Sequence, residues 1–277
     1  MNVFEDKGQT SYKKVSLVRV PLRLGEDVFV DQQISAKKAE DLERTMIAYN
    51  HLMHVHKVDS YRACATSAMR EAKNGQELAD GIFERTGIKI DIIPGYEEAQ
   101  IIYSTHIEER IKDHQNFLYV DVGGGSTEIS LFEGTVPKES RSFDIGTIRV
   151  LKNKVKEERW DDMKKWVKDV TQGHKDLVVI GSGGNINKIY KLHQKSNWES
   201  LYYNEIKSLI DELSDMNVDQ RIMNFHLHPD RADVIVPAGK IFLKVMKWAA
   251  INEVQVPKMG LADGLIKGMH QGLTFSR

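Results

Sequence analysis

Three consecutive glycines set between two acidic residues constrain this chain more than anything else in it. The run Asp121-Val-Gly-Gly-Gly-Ser-Thr-Glu128 follows Asn116-Phe-Leu-Tyr-Val120 and passes into Ile129-Ser-Leu-Phe132. The leading run is short, apolar and bounded by polar residues, which predicts a buried strand rather than a helix. Thr127–Phe132 resumes in strand-like alternation, so the unit reads strand, glycine loop, strand. A Walker loop is strand, loop, helix, and the Gly-x-x-x-x-Gly-Lys-Ser/Thr pattern is absent. Gly123, Gly124 and Gly125 carry no side chains, so their backbone N–H groups can approach an anion closely. Asp121 and Glu128, at the two ends of the turn, can offer a hard cation such as Mg²⁺ carboxylate oxygens beside phosphate oxygens. A glycine-rich hairpin with acidic flanks is the plainer alternative, and only other segments can decide between them.

A second glycine run supplies one such segment. Asp176-Leu-Val-Val-Ile180 reads as another buried strand, and Gly181-Ser-Gly-Gly-Asn185 follows it and opens a helix to about His193. Helix N-terminal amides can face an anion, and two such loops in one half of a chain are the pattern of a phosphate clamp. The second run can also be a tight strand–helix turn or part of a dinucleotide site. Against the dinucleotide reading, the spacing is not Gly-x-Gly-x-x-Gly and no acidic residue follows at the expected distance. Phosphoryl hydrolysis needs anion neutralisation, a metal bridge and a carboxylate to position or deprotonate water. Asp121, Glu128 and one of Glu97 and Glu98 can supply the carboxylates. The Glu97-Glu98 pair lies in the first turn of a helix expected over Tyr96–Ile111, where acidic residues suit the helix dipole in any protein. Dense phosphate charge nearby would raise a glutamate toward the range of a useful base. The histidines compete poorly: His51, His54 and His56 crowd one helix end without a second metal-ligand cluster, and His226 and His228 precede a proline in a loop.

Composition narrows the partners. The 277 residues are 41% hydrophobic and 29% charged, with a net charge of −1, an ordinary globular profile with no positive field to attract DNA or an anionic membrane. Any polyanion must be held by local groups. Cys64 is the one cysteine, so no intrachain disulfide forms and a reducing compartment is expected. The N-terminus has no apolar core of signal-peptide length, and no stretch approaches the ~18 apolar residues of a membrane span. A cytoplasmic location follows as the expectation.

The order of elements reads as two α/β units around a cleft. A hairpin over residues 1–5 and 11–24 opens the chain. Residues 35–56 form a helix capped by Ser35, Arg62–Thr66 a strand, Ser67–Ala72 and Gln76–Thr86 helices, and Ile88–Ile93 a strand. A domain boundary is expected near 112–115, dividing the chain into units 1–112 and 113–277. Beyond the glycine loop, strands continue to Phe143. Helices then follow over 148–154 and 159–170, around Ile206–Leu213, and over 232–250 with Pro237 near its start. A strand at Glu253–Val256 and a helix after Gly260-Leu-Ala-Asp-Gly264 complete the chain.

These motifs together resemble a known family, the exopolyphosphatase/guanosine pentaphosphate phosphohydrolases (Ppx/GppA). The resemblance rests on Arg62-Ala-Cys-Ala-Thr-Ser-Ala-Met-Arg70-Glu-Ala-Lys-Asn74, Gly95-Tyr-Glu-Glu-Ala99, Asp121-Val-Gly-Gly-Gly-Ser-Thr-Glu128 and Gly181-Ser-Gly-Gly-Asn185. Arg231-Ala-Asp-Val-Ile-Val-Pro-Ala-Gly239 and Gly260-Leu-Ala-Asp-Gly-Leu-Ile266 extend it along nearly the whole chain. It implies an α/β fold of two ribonuclease-H-like domains, of the actin-like/Hsp70-like/sugar kinase superfamily, around a central cleft. It implies that Glu98 activates the attacking water and that Asp121 and Glu128 serve a divalent cation, Mg²⁺ or Mn²⁺. It implies that both glycine loops, Gly123–Ser126 and Gly181, Ser182, Gly183, Gly184 and Asn185, hold phosphates, and that Arg62 faces the polyanion. The implied substrates are inorganic polyphosphate and pppGpp, the latter tying the family to the stringent response, and a homodimer is expected.

One departure stands out. Family members open with a strand and an Asp-x-Gly-Ser-Asn-Thr-like phosphate loop, whereas Met1-Asn-Val-Phe-Glu5 resembles the tail of the second strand. On element lengths, the chain is expected to start about 15–20 residues late, leaving strand backbone unpaired in the first unit and one phosphate loop lacking. Two other readings stay open: an ATP-dependent kinase or actin-like ATPase, and a non-catalytic binder of pppGpp or polyphosphate.

Overall fold

The computed structural model describes residues 1–6, 9–103, 116–134, 136–174, 176–196, 199–257 and 260–272. The chain opens with an antiparallel hairpin of β1 (Asn2–Asp6) and β2 (Gln9–Lys13). The second strand is much shorter than its expected 11–24, because residues 14–24 take no regular secondary structure apart from a turn at Leu24. A short helix that periodicity did not suggest follows, α1 (Gly25–Asp31), ended by Gln32 in the left-handed region at φ 57°. Then come α2 (Ala36–Val55), β3 (Ala63–Ala65), α3 (Ser67–Glu71), α4 (Gly75–Thr86), β4 (Ile90–Ile92) and α5 (Gly95–Tyr103). Ser35 caps α2 as its sequence suggests, accepting from the Lys38 amide, and Gly87 ends α4 at φ 73°, where a side chain would be strained. The remainder of the helix expected to Ile111, and the boundary expected near 112–115, lie outside the described residues.

The second half is built on β5 (Asn116–Val122), β6 (Thr127–Glu133) and β7 (Val136–Phe143), followed by α6 (Thr147–Leu151), α7 (Glu157–Thr171), β8 (Val178–Ser182) and α8 (Gly184–Leu192). β9 (Leu201–Tyr202), α9 (Tyr203–Ser214), α10 (Val218–Phe225), α11 (Pro229–Ala232), α12 (Ile235–Ala249), β10 (Glu253–Gln255) and α13 (Leu261–Gln271) complete it. Pro237 falls in the first turn of α12, where a missing N–H costs no intrahelical bond. The six strands run in the order β7-β6-β5-β8-β10-β9. β5 is central, antiparallel to β6 and parallel to β8. Its apolar run is explained by burial on both faces: Phe117 and Tyr119 lie on one side, Leu118 and Val120 on the other, all essentially inaccessible. Each such side chain contributes about 1.5–3 kcal/mol relative to exposure. The sheet therefore holds the ends of β5 and β8 rigidly, and both glycine runs are at those ends.

The described residues of the first half form no comparable sheet. Among the described residues, β1 and β2 form one two-stranded piece and the parallel β3 and β4 another. Between them lies a cavity of about 1050 Å³, lined by β1, the start of β3, α2 and α13. Phe4, Val15, Val18, Val58 and Tyr61 border it and are exposed. Among the described residues the split leaves one edge of β1 and one of β3 without strand partners. The two halves are tied elsewhere. Ile148 and Val234 of the second half join the core formed by Val28, Phe29, Leu42 and Ile82. The last described helix, α13, packs on the first half, setting Leu261 and Leu265 with Ile93 and Ile101. A Lys14–Asp263 ion pair and a contact of His270 Nε2 with Glu5 at 3.0 Å link it to the opening hairpin. No helix among the described residues is long and apolar enough to cross a membrane.

Candidate active site

Asp121 is the second-last residue of β5 and Glu128 the second of β6, and the two are direct cross-strand partners, which puts their side chains on the same face of the sheet. Glu128 is buried and receives hydrogen bonds on Oε1 from Ser126 Oγ (2.6 Å) and Ser142 Oγ (3.0 Å). Arg70 Nη2 approaches the same oxygen at 3.9 Å, while its Nη1 is anchored on the Ile93 carbonyl at 2.7 Å. Burial and the neighbouring Glu128 push the Asp121 carboxyl up to about 7, against the Tyr119 and Ser182 hydroxyls beside it.

The third carboxylate comes from the first half. The structure separates the adjacent glutamates of α5, which sequence left equivalent. Glu97 accepts from Arg62 Nη2 at 2.8 Å, so its charge is matched. Glu98 turns toward Glu128 and Asp121 instead. Burial first, then those two negative neighbours, raise its carboxyl to about 8, and Arg70 pulls the other way. A carboxyl held protonated near neutrality beside two other acids is a strongly perturbed group of the kind that gathers at functional sites.

The glycine loop is locked from behind. The Thr147 and Ile148 amides, opening α6, donate to the Gly123 and Gly124 carbonyls at 3.0 and 2.9 Å. The Gly125 carbonyl accepts from Arg149 Nε at 2.7 Å. In a trans peptide the N–H of the next residue points opposite to the carbonyl, so the Gly124, Gly125 and Ser126 amides turn away from α6. None of the three donates to another described group. This is the array an anion needs. Glycine is required at 125 because a Cβ there would stand 1.8 Å from Phe29 Cζ.

The second run is not a loop. β8 continues through Gly181 and Ser182, and α8 starts at Gly184, so the turn is the single residue Gly183 at φ 105°. Gly181 answers to packing, since a Cβ there would press on Val254, Ile186 and Phe242. Ser182 is buried beside Asp121. Gly183 and Gly184 bring the α8 N-terminus to the cluster: a Cβ on Gly183 would lie 3.0 Å from Asp121 Oδ1. Asn185, in that first turn, has a buried Oδ1 without a hydrogen-bond partner among the described residues.

Arg62 is not brought to either glycine run. Glu97 and Asp91 hold its guanidinium, and it lines the large cavity. The cation at the carboxylates is Arg70, which sequence reasoning missed. Its signal was its place in the first helical turn after β3, at the strand end that faces the cleft. Arg231 was also missed as a site residue; its Nη1 donates to the Gly184 carbonyl at 2.6 Å. Burial and nearby Arg19 hold its guanidinium below the usual range. Among the described residues no group of three or more His, Cys, Asp or Glu is arranged to hold a metal. Asp121 and Glu128 offer a two-carboxylate set, which suits Mg²⁺ because that ion commonly takes its other ligands from water and substrate phosphate.

Comparison with known proteins gives the family. The chain is 28% identical over 258 residues to a bifunctional 3-dehydroquinate synthase/phosphatase of Fusobacterium nucleatum, covering 84% of this chain but only 38% of that protein. It is 23% identical over 273 residues to exopolyphosphatase 1 of Mycobacterium bovis, covering 91% of this chain and 79% of the relative. Among solved structures, the Aquifex aeolicus Ppx/GppA family member superposes with a TM-score of 0.73 at 24% identity, over 98% of this chain and 92% of that one. An exopolyphosphatase from Cytophaga hutchinsonii gives 0.79 at 20% identity, over 92% and 89% of the two chains. These structures share the fold. With the family model matching residues 3–272, the chain belongs to the Ppx/GppA phosphatase family.

Proposed function

We propose that this protein hydrolyses terminal phosphoanhydride bonds, releasing orthophosphate from inorganic polyphosphate or the 5′-phosphate of pppGpp. The observation that carries the reading is Glu98, brought from the first half close to Asp121 and Glu128, between which lies a glycine loop whose amides donate to no other described group. In its carboxylate form Glu98 takes a proton from water as the water oxygen attacks the terminal phosphorus. The bond from that phosphorus to the bridging oxygen breaks, and the shortened chain or ppGpp leaves. The Gly124, Gly125 and Ser126 amides hold the terminal phosphate oxygens, with the N-terminus of α8 on the neighbouring group. Asp121 and Glu128 would hold a Mg²⁺ or Mn²⁺ ion, which supplies charge neutralisation at the phosphates when bound. A phosphate-release assay with long-chain polyphosphate, pppGpp and ATP tests the reading. Turnover of either of the first two supports it, and turnover of ATP alone would replace it with a superfamily ATPase.

The carboxylates also predict how the metal shows itself in stability. Glu98 titrates near 8 in the fold against an ordinary 4.5, and Asp121 near 7 against 3.8. Between those limits the unfolded chain has lost protons that the folded chain keeps. The contribution is therefore full at low pH and is lost as pH rises toward 8. A divalent cation needs the ionised forms, so its stabilisation should grow over the same window. Melting curves from pH 5 to 8 in chelator are expected to fall with pH, and added Mg²⁺ to raise Tm most at pH 8. A Mg²⁺ effect of equal size across the range would count against these ligands.

A further inference from the structure

Arg149 touches the glycine loop, the first half and an aromatic ring at once. Its Nε donates to the Gly125 carbonyl at 2.7 Å. Its Nη2 pairs with Glu71 of α3, and its guanidinium carbon lies 4.5 Å from the centroid of Phe29 of α1. Phe29 in turn abuts Gly125 closely enough to forbid a Cβ there. The Gly123 and Gly124 carbonyls are held by backbone amides, so only the Gly125–Ser126 peptide depends on a side chain for its orientation. Glycine lets such a peptide flip at little steric cost. A flip would replace the Ser126 N–H in the cleft with a carbonyl oxygen, turning a donor to the anion into a repulsive acceptor.

We propose that Arg149 is a positioning residue that fixes the orientation of the Gly125–Ser126 peptide, and that it does so only while Glu71 and Phe29 are docked against it. The anion site of the second half is thereby made conditional on the placement of the first half, which also carries Glu98. The inference rests on the phosphate-hydrolysis reading for its consequence in turnover, but not for its structural content. Arginine is suited to the task because its planar fork can cap a carbonyl with Nε, pair a carboxylate with Nη2 and stack on a ring in one conformation, which lysine cannot do.

The test compares wild type with Arg149→Ala, Arg149→Lys and Glu71→Gln. Hydrogen exchange would be followed at Thr147 and Ile148, whose amides are bonded to the loop, and at 124–126 with and without tripolyphosphate. In Arg149→Ala, tripolyphosphate should no longer protect 124–126, and its affinity by calorimetry should fall on the order of tenfold. Turnover should fall on the order of 10²-fold, the effect of losing one preorganised oxyanion donor, mainly in kcat. Arg149→Lys should not restore it, and Glu71→Gln should show a smaller loss in the same direction. Lys and Gln variants keep the test alive should the alanine variant fail to fold. Wild-type affinity and protection in folded Arg149→Ala or Arg149→Lys would overturn the proposal. If wild type neither binds tripolyphosphate nor releases phosphate, the hydrolase reading fails, and unchanged exchange at Thr147 and Ile148 in Arg149→Ala would then overturn the positioning role on its own.

Discussion

Glu98→Gln is expected to lower phosphate release by on the order of 10²–10⁴-fold, the range over which a positioned general base contributes. The substitution keeps the shape of the side chain and removes its ability to take a proton. The protein should stay folded and lose part of the pH dependence of its melting temperature, because the carboxyl that titrates near 8 is gone. Glu97→Gln is the informative control. Glu97 is matched by Arg62, so its replacement should leave turnover within a fewfold of wild type. Wild-type turnover in Glu98→Gln would remove Glu98 from the chemistry, and equal loss in both variants would show that the pair serves the helix rather than the reaction.

Gly146→Ala should produce the second large effect although residue 146 bears no functional group. A Cβ at that position would stand 2.4 Å from the Gly124 carbonyl oxygen and 2.4 Å from the Gly125 carbonyl carbon. Both are backbone atoms and cannot rotate aside, so the loop itself must shift. Overpacking of this kind costs about 1–3 kcal/mol, visible as a lower Tm. The larger consequence falls on the anion site, where turnover should drop at least on the order of tenfold, since displaced donors no longer meet the developing charge. Gly260→Ala is the control for turnover: a Cβ there meets nothing within 4 Å among the described residues, and turnover should not change appreciably. Unimpaired turnover in a stable Gly146→Ala protein would show that the loop does not hold the phosphate.

Sequence made some parts of this site legible because the chemistry and the local structure depend on the same few neighbours. The apolar run before Asp121 is buried on both faces, and the alternation after Thr127 places Glu128 opposite Asp121. The register of a hairpin follows from such a pattern. Ser35 and Gly87 act at helix ends, where one residue decides the geometry. Other features depend on groups distant in sequence. Nothing local distinguishes Glu97 from Glu98; Arg62 does, 35 residues away. Gly181 reads like part of a loop until Val254 and Phe242 are packed on it. Arg70 and Arg149 are ordinary helical arginines in sequence, and gain their roles from Glu128 and from Gly125, Glu71 and Phe29. The helix over Gly25–Asp31 has no side-chain cap and only seven residues, so its face against the Gly125 loop is set by tertiary packing rather than by periodicity.

The return of α13 to the first half bears on how the chain comes into being at a ribosome. Gly264 lies so close to the Ile101 carbonyl that a Cβ would be 1.9 Å from its oxygen, and Leu261 and Leu265 close the core around Ile93 and Ile101. Synthesis runs from the N-terminus, and domains ordinarily fold as they emerge. Here the second half can bury the strands around β5 while translation continues, whereas the segment made first waits for nearly the last helix to emerge. Released chains truncated after residue 260 should therefore carry a protease-resistant second half and a protease-sensitive first half, the reverse of the order in which they were made.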